Sequence, residues 1–227
     1  SSVCASRCRT LNEPAARTFV VSAPSGAGKT SLAEDLLANL DGVQRTISWT
    51  TREPRNHEVH GVDYFFVSAK EFDARIQENE FLEWAEVHGH RYGPPSAESA
   101  RYHAAGDDAV MVIDVQGAEA VRRALPETIT IFVLPPSRRA LIERLDGRDG
   151  LRGGEGRALR LRVAAHEIAD YVKYDYLVVN DDFDIAAAEL AAIIRAERCC
   201  RRRRQDVAER LLADFRAETT YPDGEAT

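Results

Sequence analysis

The sequence predicts an α/β fold in which a parallel sheet carries helices on both faces. Four short apolar runs, rich in β-branched residues, have the character of buried strands: residues 18–23, 109–113, 129–134 and 176–179. A pattern of apolar residues at helical spacing follows each run, and strands that alternate with helices form parallel sheets. The length of 227 residues, 44% of them hydrophobic, suits one core with inserted segments.

Composition and charge exclude several classes of protein. No run approaches the ~18–20 uninterrupted apolar residues that a membrane span requires, so we expect no membrane partner. The net charge of −7 argues against a dedicated nucleic-acid binder. The four cysteines lie near the two ends of the chain, at positions 4, 8, 199 and 200, which is typical of a reduced, cytoplasmic protein.

The first elements follow from the N-terminus. Residues 1–16 show little apolar periodicity and are expected to form a disordered tail. The first strand, 18–23, ends in a glycine-containing loop, after which Leu32, Leu36 and Leu40 recur at helical spacing. Strand, glycine loop and helix make up the first unit of a parallel α/β fold.

Two segments interrupt the alternation of strands and helices. Residues 46–98 show short strand patterns around one helix pattern, which predicts an inserted mixed α+β subdomain. Residues 146–157 are rich in glycine and arginine. They predict a mobile, cationic lid spanning about residues 143–168, or else a disordered surface loop.

The remaining core, residues 17–45 and 99–198, is expected to end in one long C-terminal helix, 186–215, with a tail at 216–227. Four consecutive arginines at 201–204 lie within that helix. A charge run of this kind is interpreted as a solvated helix face.

The clearest chemical motif lies in the loop after the first strand. Residues 23–30, Ala-Pro-Ser-Gly-Ala-Gly-Lys-Thr, match the phosphate-binding pattern G-x-x-x-x-G-K-[ST] except that alanine replaces the first glycine. Gly26 and Gly28 would let backbone N–H groups turn toward phosphates, and the helix N-terminus adds its positive dipole. Lys29 would contact the β- and γ-phosphates, and Thr30 would bind Mg²⁺. The motif predicts a P-loop NTPase sheet.

A second group of anion-binding side chains follows. Arg52 and Arg55 are separated by a Glu-Pro pair, and hydroxyl side chains precede them. Guanidinium forks and hydroxyl donors that converge on one place suit a phosphate monoester. A solvated loop explains the same residues equally well.

Two carboxylates occupy unusual positions. In a strand, Glu83 would share an apolar face with Phe81 and Val87, where a carboxylate needs a partner. That partner is either a cation of the chain or a ligand with two adjacent N–H donors, such as guanine. Asp114 follows a strand at its carboxyl end, where open α/β sheets bind ligands.

Taken together, these motifs resemble those of bacterial guanylate kinases. The resemblance runs from about residue 18 to about residue 215 and rests on segments that occur in order: 22–29, 48–55, 81–83, 92–93, 113–117, 134–137 and 174–182. It implies the reaction ATP + GMP → ADP + GDP, with dGMP as a further acceptor. It also implies Mg²⁺ as the cofactor of ATP and a possible homo-oligomer.

The resemblance implies roles for individual residues. The ATP site would consist of Ser25, Gly26, Ala27, Gly28, Lys29, Thr30, Ser31 and, at the ATP base, Asn180. The GMP phosphate would be held by Ser48, Arg52, Arg55, Tyr64 and Tyr92, and the guanine would be recognised by Glu83 and Asp114. The catalytic cations would be Lys29 and three lid-region arginines, Arg144, Arg148 and Arg160.

Four positions depart from the pattern of that family. Pro94 stands where a serine or threonine donates to the guanine oxygen; proline has neither a hydroxyl nor an N–H, so that bond is lost unless Ser96 replaces it. Val112 stands where an aspartate contributes to the Mg²⁺ environment. His57 replaces a glycine, and Asp149 is an extra residue in the lid. We expect a guanine site that is weakened but still functions.

Two other functions stay open at this stage. One is a guanylate-kinase-like binding module without catalysis, against which the intact Gly28-Lys29-Thr30 segment argues. The other is a related small-molecule kinase with a different phosphorylated acceptor. Glu83 together with Asp114 favours guanine, while Pro94 keeps a different acceptor possible.

Overall fold

A five-stranded parallel sheet forms the centre of the computed structural model, which describes residues 16–54, 58–82, 84–87, 89–149 and 155–219. Its strands are β1 (Thr18–Ser22), β2 (Val43–Thr46), β7 (Asp108–Val112), β8 (Ile129–Leu134) and β9 (Tyr176–Val179). They lie in the order β2-β7-β1-β8-β9, and every neighbouring pair is parallel. The predicted parallel α/β core is thereby confirmed.

A smaller sheet belongs to the inserted segment. Its strands are β3 (Trp49–Thr50), β4 (Phe65–Phe66), β5 (Ala85–Val87) and β6 (His90–Gly93). They lie in the order β4-β3-β6-β5, with β3 and β4 parallel and the other pairs antiparallel. Helix α2 (Ala69–Gln77) is capped at its N-terminus by Ser68, which forms a capping box with Glu71. This mixed α+β insert is the one that the sequence predicts.

The other helices surround the large sheet. They are α1 (Lys29–Asn39), α3 (Ser96–Ala105), α4 (Val115–Ala124), α5 (Arg138–Asp149), α6 (Glu155–Ala169), α7 (Phe183–Cys199) and α8 (Arg201–Thr219), and a 3-10 helix covers Asp170–Lys173. Within the described residues, no helix is both long and apolar enough to cross a membrane.

Helices cover both faces of the large sheet because the side chains of its strands alternate between them. Phe19 and Val21 of β1 pack into a cluster that contains residues of α1 and α7. Val20, between them, packs on the opposite face with Met111 and with Val121 of α4. The two apolar layers fix β1 in the middle of the sheet, and β1 leads directly into the glycine-containing loop.

The structure corrects two expectations about the C-terminal segment. One continuous helix over 186–215 is wrong, because α7 ends and α8 begins around Cys200, whose backbone is extended. The solvated face at 201–204 is wrong for Arg203, whose side chain is 0% exposed. The Arg203 guanidinium contacts Asp108, a partner that lies far away in the sequence.

The edge strand β2 is an element that the apolar pattern does not reveal. Only its first and last residues, Val43 and Thr46, are buried, and both residues between them are polar. Part of the expected lid, 150–154, lies outside the described residues. The flanking helices α5 and α6 are present. The lid itself stays a prediction.

Candidate active site

The loop between β1 and α1 requires glycine at two positions. Gly26 and Gly28 have φ angles of 88° and 91°, in the left-handed region that side chains disfavour. A Cβ atom on Gly26 would lie 2.9 Å from Leu145, and one on Gly28 would lie 2.3 Å from the amide nitrogen of Asn180. Both glycines are therefore needed for the conformation and for the close packing of the loop.

The loop leads into the N-terminus of α1, and Gly28 is the residue that precedes this helix. The first N–H groups of a helix have no partners within it and, together with the helix dipole, attract anions. Thr30 and Ser31 lie in this first turn. The geometry is that of a phosphate-binding loop.

Lys29 connects this loop to the end of β7. Its Nζ atom donates to the backbone carbonyl of Ile113 at 2.7 Å. The next residue, Asp114, precedes α4, and its carboxylate accepts a hydrogen bond of 2.8 Å from the backbone N–H of Gly117. The P-loop ammonium and the Asp114 carboxylate thus lie at the same edge of the sheet, as expected for carboxyl ends of parallel strands.

A pocket opens beside this edge, between the large sheet and the insert. It is lined by Ser48, Tyr64, Tyr92, Pro94, Ile113, Asp114 and Gly117. The structure therefore brings together four residues that were predicted to bind GMP, Ser48, Tyr64, Tyr92 and Asp114. It also places Pro94 in the pocket wall, where a hydroxyl side chain was expected from the resemblance.

The hydroxyl of Ser48 is buried, and its Oγ atom has no hydrogen-bond partner within the described part of the chain. A buried hydroxyl without a partner is costly in free energy. Because Ser48 lines the pocket, a polar ligand group bound there would relieve this cost.

Arg52 lies next to the pocket in a nearly buried ion pair. Its guanidinium contacts Glu58 at 2.8 Å, with 13% and 8% of the two side chains exposed. The guanidinium carbon also lies 5.6 Å from the ring centre of Tyr64. Burial alone would lower the pKa of Arg52, but the hydrogen bond and charge of Glu58 outweigh it, and the pKa is raised. Arg52 is therefore a permanent cation.

Tyr64 and Tyr92 present their rings edge to face, with centroids 6.1 Å apart. Burial raises the pKa of the Tyr64 hydroxyl far above its ordinary value, and the Asp114 carboxylate adds to the effect. At neutral pH the Tyr64 hydroxyl is therefore protonated, and it can donate a hydrogen bond to an anion.

The structure describes the three predicted catalytic arginines in different detail. Arg144 on α5 donates to two backbone carbonyls, those of Asn180 at 2.9 Å and Ala27 at 3.5 Å. Arg160 lies half-buried on α6. The side chain of Arg148 lies outside the described part of the structure. Arg144 thus contacts the phosphate loop directly, and the catalytic roles of all three arginines stay predictions.

Arg55 and Glu83 lie outside the described residues, as does His57. The proposed compensation by Ser96 has no support, because the Ser96 hydroxyl donates to the backbone carbonyl of Glu80 at 3.1 Å. Val112 is 8% exposed and packs in the apolar cluster of β1 and α1. It therefore supplies no oxygen ligand for a metal.

Glu58, Ile113 and Gly117 contribute to the site although the sequence assigned them no role there. Glu58 stands six residues after Arg52, and the spacing alone does not reveal that the two side chains form an ion pair. Ile113 and Gly117 contribute backbone groups. Backbone contacts of this kind leave no mark in the residue types.

Comparisons with known proteins agree with this geometry. The guanylate kinase family model matches residues 15–197. A guanylate kinase of Shewanella violacea is 47% identical over 201 residues, covering 86% of this chain and 97% of that protein. A guanylate kinase of Escherichia coli is 45% identical over 202 residues, covering 88% and 97%.

A solved structure agrees as well. The crystal structure of guanylate kinase from Anaplasma phagocytophilum superposes with a TM-score of 0.70 at 31% sequence identity. The superposition covers 91% of this chain and 98% of that one. The similarity therefore extends over the sheet, the insert and most of the helices.

Proposed function

This chain belongs to the guanylate kinase family, and we propose that it transfers the γ-phosphoryl group of ATP to GMP, and also to dGMP, forming ADP and the nucleoside diphosphate. One observation supports this function more directly than any other. Lys29 of the phosphate loop contacts the carbonyl of Ile113 at 2.7 Å, and Ile113 itself lines the pocket between the large sheet and the insert. A donor phosphate and an acceptor phosphate bound in the two places would meet at this contact.

The proposed reaction is an in-line displacement. An oxygen of the GMP phosphate attacks the γ-phosphorus of ATP, and the bond from that phosphorus to the β,γ-bridging oxygen breaks, so ADP leaves. The acceptor phosphate is mostly dianionic at neutral pH, because its second pKa is about 6. No general base is needed, and the residues have only to position the two groups and offset their charges.

We assign the donor side to the phosphate loop. Backbone N–H groups of residues 25–31, the helix dipole of α1 and the Lys29 ammonium would hold the phosphates of ATP. Arg144, together with Arg148 and Arg160, would add positive charge when the proposed lid over about 143–168 closes. The contact of Arg144 with Ala27 supports this, since it places one lid-region cation at the loop.

We assign the acceptor side to the pocket. Ser48, Arg52, Tyr64 and Tyr92, with Arg55, would hold the GMP phosphate through charge-assisted hydrogen bonds. The buried hydroxyl of Ser48 supports this assignment. Asp114, with Glu83, would accept hydrogen bonds from the adjacent N–H groups of guanine, which adenine lacks.

Mg²⁺ would enter with ATP. Mg²⁺ prefers oxygen ligands and is bound in such sites largely by substrate phosphates and water. The hydroxyl of Thr30, in the first turn of α1, is the protein ligand that fits. The ion would neutralise charge on the transferring phosphoryl group.

The two alternative functions are not favoured. A binding module without catalysis needs no phosphate loop, whereas this loop has the required glycine geometry and the Lys29 contact. A kinase for a different phosphorylated acceptor would not explain 45–47% identity to guanylate kinases over most of the chain.

An acceptor panel tests the proposal. ADP release should be measured with ATP, Mg²⁺ and one acceptor at a time: GMP, dGMP, AMP, CMP, UMP or a sugar phosphate. We expect kcat/KM for GMP to exceed that for AMP by at least about 100-fold, because adenine lacks the adjacent N–H pair that Asp114 and Glu83 would accept. A higher value for another acceptor would contradict the assignment of the pocket.

We also propose a homo-oligomer in which α8 provides contact surface. Leu211 and Leu212 on this helix are each 49% exposed. Phe215, one helical turn further on, is 67% exposed, so a second copy would cover an apolar surface made of these three side chains. Sedimentation velocity of a Leu211→Ser/Leu212→Ser variant should show a smaller species than the wild type. A monomeric wild type would contradict the proposal.

The cytoplasm is the compartment that we propose. The thiols of Cys199 and Cys200 are both free, which suits a reducing compartment, and ATP and GMP are available there. Cell fractionation with an antibody to the chain would test it, and recovery outside the cytoplasmic fraction would contradict it.

A further inference from the structure

The carbonyl oxygen of Ala27, in the phosphate loop, accepts hydrogen bonds from two side chains of other elements. The amide nitrogen of Asn180 donates to this oxygen at 2.8 Å. Arg144 donates to the same oxygen at 3.5 Å and to the backbone carbonyl of Asn180 at 2.9 Å. The three residues thus form one hydrogen-bonded group around a single peptide of the loop.

Asn180 is well placed to act as a rigid support. It is 5% exposed, and its backbone N–H donates to the carbonyl of Leu134 at 2.8 Å. It therefore lies where β8 and β9 end, and both strands are fixed in the central sheet. Its side chain packs so closely against Gly28 that a single added carbon on Gly28 would collide with it.

The direction of the Ala27 carbonyl determines the direction of a donor group in the loop. The described chain has no cis peptide bonds, and in a trans peptide the C=O and the following N–H point in opposite directions. A hydrogen bond that holds the Ala27 carbonyl toward Asn180 therefore turns the N–H of Gly28 to the opposite side. In a phosphate loop, that N–H is one of the groups that bind the phosphates.

We infer that Asn180 is a positioning residue for the phosphate loop, acting through the Ala27–Gly28 peptide. The resemblance implied a different role, a contact with the ATP base. In this structure one of the two N–H groups of the Asn180 amide is donated to Ala27, so the amide is oriented toward the loop. The inference rests on the proposed function, because it takes the loop to be the site of the ATP phosphates.

Binding of inorganic tripolyphosphate separates these two roles, because this probe has phosphates but no base. Titration calorimetry with tripolyphosphate and Mg²⁺ should be carried out on the full-length wild type and on Asn180→Leu, which keeps the branched shape of the side chain but has no hydrogen-bond donor. Asp181→Asn, an exposed neighbour, is the matched control. A second variant, Asn180→Ser, serves if Asn180→Leu does not fold by circular dichroism.

We expect the Kd for tripolyphosphate to rise at least about tenfold in the Asn180 variants, the effect of losing one well-placed hydrogen bond. The Kd for GMP should change less than about twofold, since the acceptor pocket is not touched. An unchanged Kd for tripolyphosphate would overturn the inference, and a shifted preference for ATP over GTP would then favour the base contact.

The role of Asn180 and the proposed reaction can fail separately in these experiments. Wild type that binds tripolyphosphate but does not phosphorylate GMP would contradict the reaction and leave the role of Asn180 intact. A wild-type protein that fails to bind tripolyphosphate would contradict both the assignment of the loop to the ATP phosphates and the inference about Asn180.

Discussion

The guanidinium of Arg203 contacts the carboxylate of Asp108 at 2.7 Å, with 0% and 2% of the two side chains exposed. Arg198 contacts the other carboxylate oxygen at 2.8 Å, and the backbone N–H of Arg17 donates to Asp108 as well. Asp108 is the first residue of β7, so this buried group fastens the start of α8 to the end of the sheet opposite the phosphate loop.

The first prediction concerns this buried pair. Arg203→Met should lower the free energy of unfolding by about 3 kcal/mol, because the carboxylate of Asp108 loses a buried partner. The neighbouring Arg202→Met is the control, since Arg202 is exposed and should change stability by less than about 0.5 kcal/mol. Urea denaturation measures both. Equal effects of the two substitutions would show that Arg203 is not buried as described.

Arg52 should contribute to GMP binding and not to ATP binding. Arg52→Ala is expected to raise KM for GMP at least about tenfold, because a charge-assisted hydrogen bond to phosphate is lost, while KM for ATP changes less than about twofold. Arg101→Ala is the control, since 70% of that side chain is exposed. Steady-state kinetics give both constants, and an unchanged KM for GMP would remove Arg52 from the acceptor site.

Pro94 should limit the affinity for GMP. Pro94→Thr introduces a hydroxyl into the wall of the pocket beside Asp114, and Ser96 cannot supply one while it donates to Glu80. We expect KM for GMP to fall about three- to tenfold, the effect of one added hydrogen bond. Ser96→Ala is the comparison and should leave KM for GMP unchanged, because it removes a hydroxyl that is directed away from the pocket. A Pro94→Thr variant with the wild-type KM would contradict this account of the pocket.

Alkaline pH should destabilise the protein through Tyr174. Burial raises the pKa of this tyrosine to about 12, above its ordinary value near 10, so the folded state keeps a proton that the unfolded state loses. The stabilisation is complete below pH 10 and is lost as the pH rises through 12. At pH 11 we expect a loss of about 1 kcal/mol relative to pH 9, and less in Tyr174→Phe. Urea denaturation at pH 9 and pH 11 measures this loss in the wild type and in the variant. Identical losses in the two proteins would contradict the assignment of the effect to Tyr174.

The sheet could be predicted because four of its strands are continuous apolar runs, the pattern of strands buried on both faces. Edge strand β2 could not, because three of its four residues are polar. The prediction for Arg203 is wrong for a related reason. The two arginines before it, Arg201 and Arg202, are exposed, and its own burial depends on Asp108 in a distant strand.

The phosphate loop could be predicted from local sequence, since its glycines and lysine lie within a few residues. The acceptor pocket could not, because Ser48, Tyr64, Tyr92 and Asp114 come from separate elements, and only the resemblance joined them. The contact of Asn180 with Ala27 could not be predicted for the same reason. A residue's partner across the sheet is determined by the fold and not by its neighbours in sequence.

The most direct test of the central claim is GMP-dependent ADP release by the wild type and by Lys29→Ala. Lys70→Ala is the matched control, since this exposed lysine lies on α2 away from the loop. We predict GMP-dependent release by the wild type and by Lys70→Ala, and at least about 100-fold lower kcat for Lys29→Ala, the effect of removing a preorganised charge. Folded wild type without GMP-dependent release, or Lys29→Ala with near-normal kcat, would contradict the account.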